Sequence, residues 1–298
     1  MLTPDAVVPL ALEPGAVVTD DAVWVQLRAE QAIQRIDAKT NALGTPIKLN
    51  HSPCGQLAHA FGSLWVPVCA GELAGGPVSE TNGLVRADPK QGNASAAMPL
   101  PIATPRAGLA VVAGSLWTIA DRKGVVSRID PMTNAPVAEA FVASMAHSIA
   151  AADDAVWVTS ENGDLLTRIN AHTNVVLETI KVGPRPGPVA IGEGAIWTLN
   201  RGDGSVSRVD AKSHKVAATV AVGEAIVTGD LAVGEGAVWI SAVGAPLIRV
   251  DPRTNRVAQR FAGSGGGAVM VGHGSVWMAA GPKLTWRLDP KLVAAMRP

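Results

Sequence analysis

The titratable side chains of this chain are few and scattered, so any chemistry they perform must be assembled by folding. His147 is the type best suited to proton transfer, because an imidazole exchanges its proton near neutral pH. It stands immediately before the apolar run 148–151, a place that also suits a purely structural histidine. Gln56, Arg106, Arg185 and Asp230 occupy comparable points ahead of other apolar runs, and Glu161, Arg201 and Asp203 follow such runs. Guanidinium, amide and carboxylate groups gathered at one mouth would capture an anionic small molecule. Asp164, Asp203 and Glu161 would add a divalent cation, Mg2+ or Ca2+, if folding brought them together. The same charges would equally serve as a hydrated rim.

No dedicated metal or nucleophile motif accompanies them. There is no His-x-His, His-Glu-x-x-His, Cys-x-x-Cys or Asp-rich calcium loop, and no Gly-x-Ser-x-Gly elbow, so no resident metal site is expected. The Gly-rich stretch 263–267 precedes a strand pattern, not a helix, and so lacks the helix N-terminus that a phosphate site uses. A net charge of +0 with only 17% charged residues argues against nucleic-acid binding. Apolar runs such as 6–12 and 107–113 fall far short of the roughly 20 residues a membrane span needs. The first residues lack the basic and apolar regions of a leader peptide.

The elements that would position these groups are repeated. Trp24, Trp65, Trp117, Trp157, Trp197, Trp239 and Trp277 follow one another at gaps of 41, 52, 40, 40, 42 and 38 residues. Each follows a short turn signal such as Gly62-Ser63 or Gly272-His273-Gly274 and opens an apolar strand. Each is followed by Arg, an apolar residue, then Asp or Asn: Arg35, Arg86, Arg128, Arg168, Arg208, Arg249 and Arg287 lie 11, 21, 11, 11, 11, 10 and 10 residues on. The outlier marks an insertion at about 70–83. A turn comes next, clearest at Asp130-Pro131-Met132-Thr133-Asn134, where Asp accepts backbone N–H groups and Asn tolerates the left-handed region. Four short strands, A to D, per unit of about 40 residues predict an all-β chain. The fold expected is a seven-bladed β-propeller of four-stranded antiparallel blades, with residues 1–298 as a single domain.

A residue present in every unit serves what every unit shares. The tryptophans are therefore expected in the core, and the Arg and Asp in turns and contacts between blades. Residues 6–12 resemble a fourth strand that precedes any first strand, so the N-terminus is expected to complete the last blade; a strand at 291–296 is the alternative. If strands pair around Gly62-Ser63, Cys54 and Cys69 lie roughly opposite each other, and a disulfide is expected there, with two buried thiols as the alternative. A disulfide would suit a periplasmic or secreted protein, while reduced thiols would leave the cytoplasm open. Loops B–C and D–A share one end of a blade and vary in length and charge, so that end is the expected ligand face. His59 and His273 read as structural, and His172 and His214 fall in C–D turns at the other end.

The units 192–223 and 234–263, with their Gly-x-Gly-Ala-(Val/Ile)-Trp start, Arg-Val-Asp turn and closing Val-Gly or Ala-Gly, resemble bacterial propellers grouped with virginiamycin B lyase (streptogramin lyase) and the YVTN (YncE-type) repeat proteins. The resemblance covers essentially the whole chain. It implies a seven-bladed ring and, for many members, a periplasmic or secreted location. The lyases of the group open a cyclic depsipeptide by elimination at an ester, using Mg2+ and a Glu-x-His pair at the start of an inner strand. Here His147 follows Met145-Ala146, and Glu224 is followed by Ala225-Ile226, so no catalytic residue carries over. The leading expectation is a binding or scaffold module that recognises a small molecule or protein on the variable face, as a monomer. The alternatives are a lyase-like enzyme using His147 with a divalent metal, and an accessory subunit of a periplasmic complex.

Overall fold

A computed structural model describes residues 2–69, 82–103 and 108–296. Arg106 and most of the insertion expected at 70–83 therefore lie outside the described residues. The chain forms seven antiparallel sheets, each with its strands in sequence order except the last, and these are the blades of a seven-bladed β-propeller. Blade five shows the plan: strand A Pro186–Gly192, B Ala195–Asn200, C Ser205–Asp210 and D Val216–Ala221. In blade two the D position is split into Asn93–Ala94 and Met98–Pro99. The last blade runs Val269–Gly272, Ser275–Gly281 and Leu284–Leu288, and is completed by the N-terminal strand Ala6–Val8, whose Val7 faces Trp286. Residues 291–296 do not form that strand. Asp289 caps a short helix, Pro290–Ala295, with proline in its first turn, and the Gln259 side chain of blade six donates to the carbonyls of Val293, Ala294 and Met296.

The described residues form two compact units. One is 15–162 with 167–179, holding blades one to three and most of blade four; the other is 1–14, 163–166 and 180–298, holding blades five to seven. Within each unit, A strands of successive blades lie side by side, as Pro186–Gly192 does with Gly229–Gly234. B strands are buried on both faces, whereas D strands such as Val176–Lys181 are largely exposed.

The three repeated residues account for this plan. The seven tryptophans are all at most 3% exposed. Burying each indole contributes about 4–6 kcal/mol as an upper bound. The Trp and Arg of a blade face each other across strands B and C, as Trp197 faces Arg208. In six blades the guanidinium lies over the ring, its carbon 5.0–5.9 Å from the centroid. In blades six and seven the Trp-to-Arg spacing is one residue shorter, and a register shift in the B–C pair absorbs the difference. The Asp or Asn two residues on closes the C–D turn. Asp210 Oδ1, for example, accepts from Lys212 N (3.1 Å) and Ser213 N (2.8 Å). The fifth turn residue adopts positive φ, as Asn41, Asn134, Asn174, His214 and Asn255 all do.

Candidate functional site

Hydrogen bonds between loops separate the two ends of the blades. At one end C–D and A–B turns meet, as Ala171 N donates to Asp154 O and Ala211 N to Gly194 O. At the other end B–C and D–A segments meet. Met145 N donates to Arg122 O, Glu161 N to Met145 O, Arg201 N to Arg185 O and Ile226 N to Arg201 O. The described residues among those singled out in the sequence lie at this second end of their own blades, and each unit is taken by itself.

In the first unit, His147 occupies a register shift between Ala146 and Ser148 in strand Ala146–Ala152, just after Met145 at φ 60°. Glu161 follows strand Ala155–Ser160, and its backbone is bonded to that of Met145. Gln56 is exposed and runs beside Gly108, where an added Cβ would lie 2.7 Å from Gln56 Oε1. Cys54 and Cys69 are joined by a disulfide with Cα atoms 5.7 Å apart. It ties the chain ahead of strand Ala58–Ala60 to the residue after Ser63–Val68, at the foot of the insertion.

In the second unit, Arg185 takes φ 52°, and its N–H donates to Asp164 Oδ1 at 2.9 Å. That bond, and then Lys181 beside the other oxygen, hold the Asp164 carboxyl below its ordinary pKa. Arg201 lies along Gly187, where a Cβ would meet its Cδ and Nε at 3.0 Å. Asp203 Oδ1 accepts from Ser205 N and Oγ at 3.1 and 2.7 Å and so serves its own turn. Asp230 accepts from Leu231 N and, at 3.1 Å, from Val269 N on the neighbouring blade. Among the described residues no three His, Cys, Asp or Glu side chains converge as metal ligands. The Gly-rich stretch has a packing cause: a Cβ at Gly265 would lie 2.1 Å from Ala242 O, and one at Gly267 2.7 Å from Ala279 Cβ.

What this end does present, within the second unit alone, is a cleft of about 420 Å3. It is walled by the D–A loop between blades five and six (Glu224, Val227), the B–C turn of blade six (Val243) and Arg260 of strand Arg256–Phe261. The volume falls in the usual range for small-molecule sites, about 300–1,000 Å3. Val227 and Val243 are 80% and 63% exposed. Arg260 Nη1 donates to Val222 O, which fixes the guanidinium beside Gly223. A Cβ at 223 would stand 3.2 Å from that nitrogen. Among the described residues neither Glu224 nor Arg260 belongs to an ion pair. The loop is pinned from below: Val222 N and Gly223 N both donate to Gly204 O.

None of these wall residues was among the candidate site residues read from the sequence, where Glu224 entered only as lacking the Glu-x-His pattern. The others come from the same loop, a turn and an outer strand, none of which carries a motif there. The available signal for Arg260 was positional: the residue in its register is Glu139 in blade three and Thr219 in blade five.

Two further cavities lie in the first unit. One of about 460 Å3 is lined, among the described residues, by Asn82, Pro99, Leu100, Pro101, Ile102 and Ala120, none of them charged. The other, about 250 Å3, lies at the opposite end between blades one and two, beside Trp24, Asp20, Asp21, Arg35, His59 and Lys90. Blade one is the exception to the ring contact, because Arg35 pairs with Asp21 (2.7 Å) and Asp37 (3.1 Å).

No helix among the described residues is long and apolar enough to cross a membrane. No family model matches the chain, and no curated protein matches it. Solved structures do. The computationally designed Ika8 protein superposes with a TM-score of 0.66 at 12% identity, covering 95% of this chain and 100% of that one. A chain of the mitotic checkpoint complex superposes with a TM-score of 0.69 at 13% identity, covering 96% of this chain and 92% of its own. At such identities these likenesses establish the fold.

Proposed function

We propose that this chain is a binding module, one propeller domain over residues 1–298, that takes a small molecule on the face of its B–C and D–A loops. The single observation that carries the reading is the cleft between Glu224 and Arg260. It sets an unneutralised carboxylate and an anchored guanidinium beside two exposed valines. Exposed apolar groups flanked by oriented charges are the usual make-up of a ligand site, and variable loops on a rigid repeat are the usual place for one. The Cys54–Cys69 disulfide supports a periplasmic or secreted location, since such bonds persist in oxidising compartments. A fragment screen followed through the Val227 and Val243 methyl NMR signals tests the reading. Binding that moves both signals and is lost in Val243→Asp is the expected outcome. A screen in which every binder leaves both signals unmoved would overturn it.

A further inference from the structure

We infer that the cleft beside Glu224 and Arg260 takes a free α-amino acid with an apolar side chain. The inference rests on the binding reading above and names its ligand class. Arg260 spends one donor on Val222 O, and a guanidinium carries five in a fixed fork. The remaining donors suit a planar carboxylate, which guanidinium binds through two parallel hydrogen bonds. Glu224 stands on the same cleft and accepts no charged partner from the described residues. A carboxylate so placed suits an ammonium group.

The two side chains do not close on each other as an ion pair, which leaves both charges available to one molecule that carries both signs. An α-amino acid carries them one carbon apart. Its side chain would then lie on Val227 and Val243, which are 80% and 63% exposed. Gly223 completes the fit, because any side chain there would press on the guanidinium. The volume of about 420 Å3 suits a single amino acid with its hydration better than a folded partner.

The test is calorimetric titration of the full chain with three probes of one skeleton: L-leucine, 4-methylpentanoate and 3-methylbutylamine. L-Leucine is expected to bind at least about tenfold more tightly than either single-charge probe, a difference of about 1.4 kcal/mol. Glu224→Gln should bring L-leucine down to the level of 4-methylpentanoate and leave the latter's binding unchanged. Arg260→Gln should do the converse with 3-methylbutylamine. Both substitutions are at exposed positions, and an unchanged melting temperature verifies the fold. If the single-charge probes bind as tightly as L-leucine and Val243→Asp still removes them, the amino-acid assignment fails while the cleft stands. If none of the three binds at 10-fold excess over millimolar protein, about 10 mM ligand, the assignment is overturned, and the fragment screen then decides the broader reading on its own.

Discussion

Arg86 lies over the indole of Trp65, its guanidinium carbon 5.2 Å from the ring centroid, and the two face each other across strands B and C although 21 residues separate them. The register of the blade is thus set by the pair and not by the length of chain between its members. Insertions are tolerated in the B–C segment because they leave this contact intact.

The ring contact carries a stability consequence that differs between blades. Removing the guanidinium and its apolar stem in Arg86→Ala should cost about 1–2 kcal/mol. Arg35→Ala in blade one should cost less than about 1 kcal/mol, since Arg35 forms ion pairs with exposed or half-exposed carboxylates instead. Urea unfolding followed by tryptophan fluorescence measures both, and equal losses would contradict the contrast.

The disulfide closes a 15-residue separation. Its removal in Cys54→Ser with Cys69→Ser should lower stability by about 3 kcal/mol through the added freedom of the unfolded chain. Denaturation with and without reductant checks this: the reductant should shift the wild-type protein and leave the double variant unchanged.

The C–D turns predict an acid response of definite sign. Asp37, Asp88, Asp210 and Asp251 are held below the ordinary carboxyl pKa, in each case chiefly by backbone N–H donors, from Thr40, Gln91, Ser213 and Arg253 respectively. The folded state therefore binds fewer protons than the unfolded one near those values. The stability this confers is complete above about pH 4 and is lost as pH falls through the depressed folded values. Blade four supplies the control, because Asn170 accepts the same two N–H groups at 2.9 Å without a titrating charge. Changing the four aspartates to asparagine should lower the melting temperature at pH 7, where the charges contribute fully, and flatten its fall below pH 4.

Gly204 sits at φ 66°, and a Cβ there would lie 1.9 Å from Glu224 O. Gly204→Ala must displace the loop that carries Glu224, at a cost of about 1–3 kcal/mol. Ligand affinity at the cleft should fall with it, while Gly194→Ala, at φ 72° in an open turn of the other end, should spare affinity. Titration of both variants distinguishes a local effect from a general one.

Most of the fold was legible in the sequence because its markers recur. Trp, Arg and Asp each answer to a contact made once per blade, so seven copies announce seven blades. The N-terminal strand was legible because 6–12 resembles a fourth strand that precedes any first strand, although only Ala6–Val8 pairs. The helix at Pro290–Ala295 was not, since six residues carry too little periodicity and its hold comes from Gln259, over 30 positions away. The cleft was hidden for a related reason. Val227 and Val243 read as ordinary apolar residues, and only their exposure in the fold sets them apart. Arg260 lies in an outer strand, where a charge usually just meets water. Asp203 and Asp230, which looked free to bind a ligand, are engaged by the backbone N–H groups of Ser205 and Val269.

The central claim is that ligand lies between Glu224 and Arg260, and a crystal structure of the protein soaked with L-leucine tests it most directly. The account predicts density with its carboxylate on Arg260, its ammonium on Glu224 and its side chain on Val227 and Val243. Density for L-leucine elsewhere on the chain, with this cleft holding only water, would contradict it.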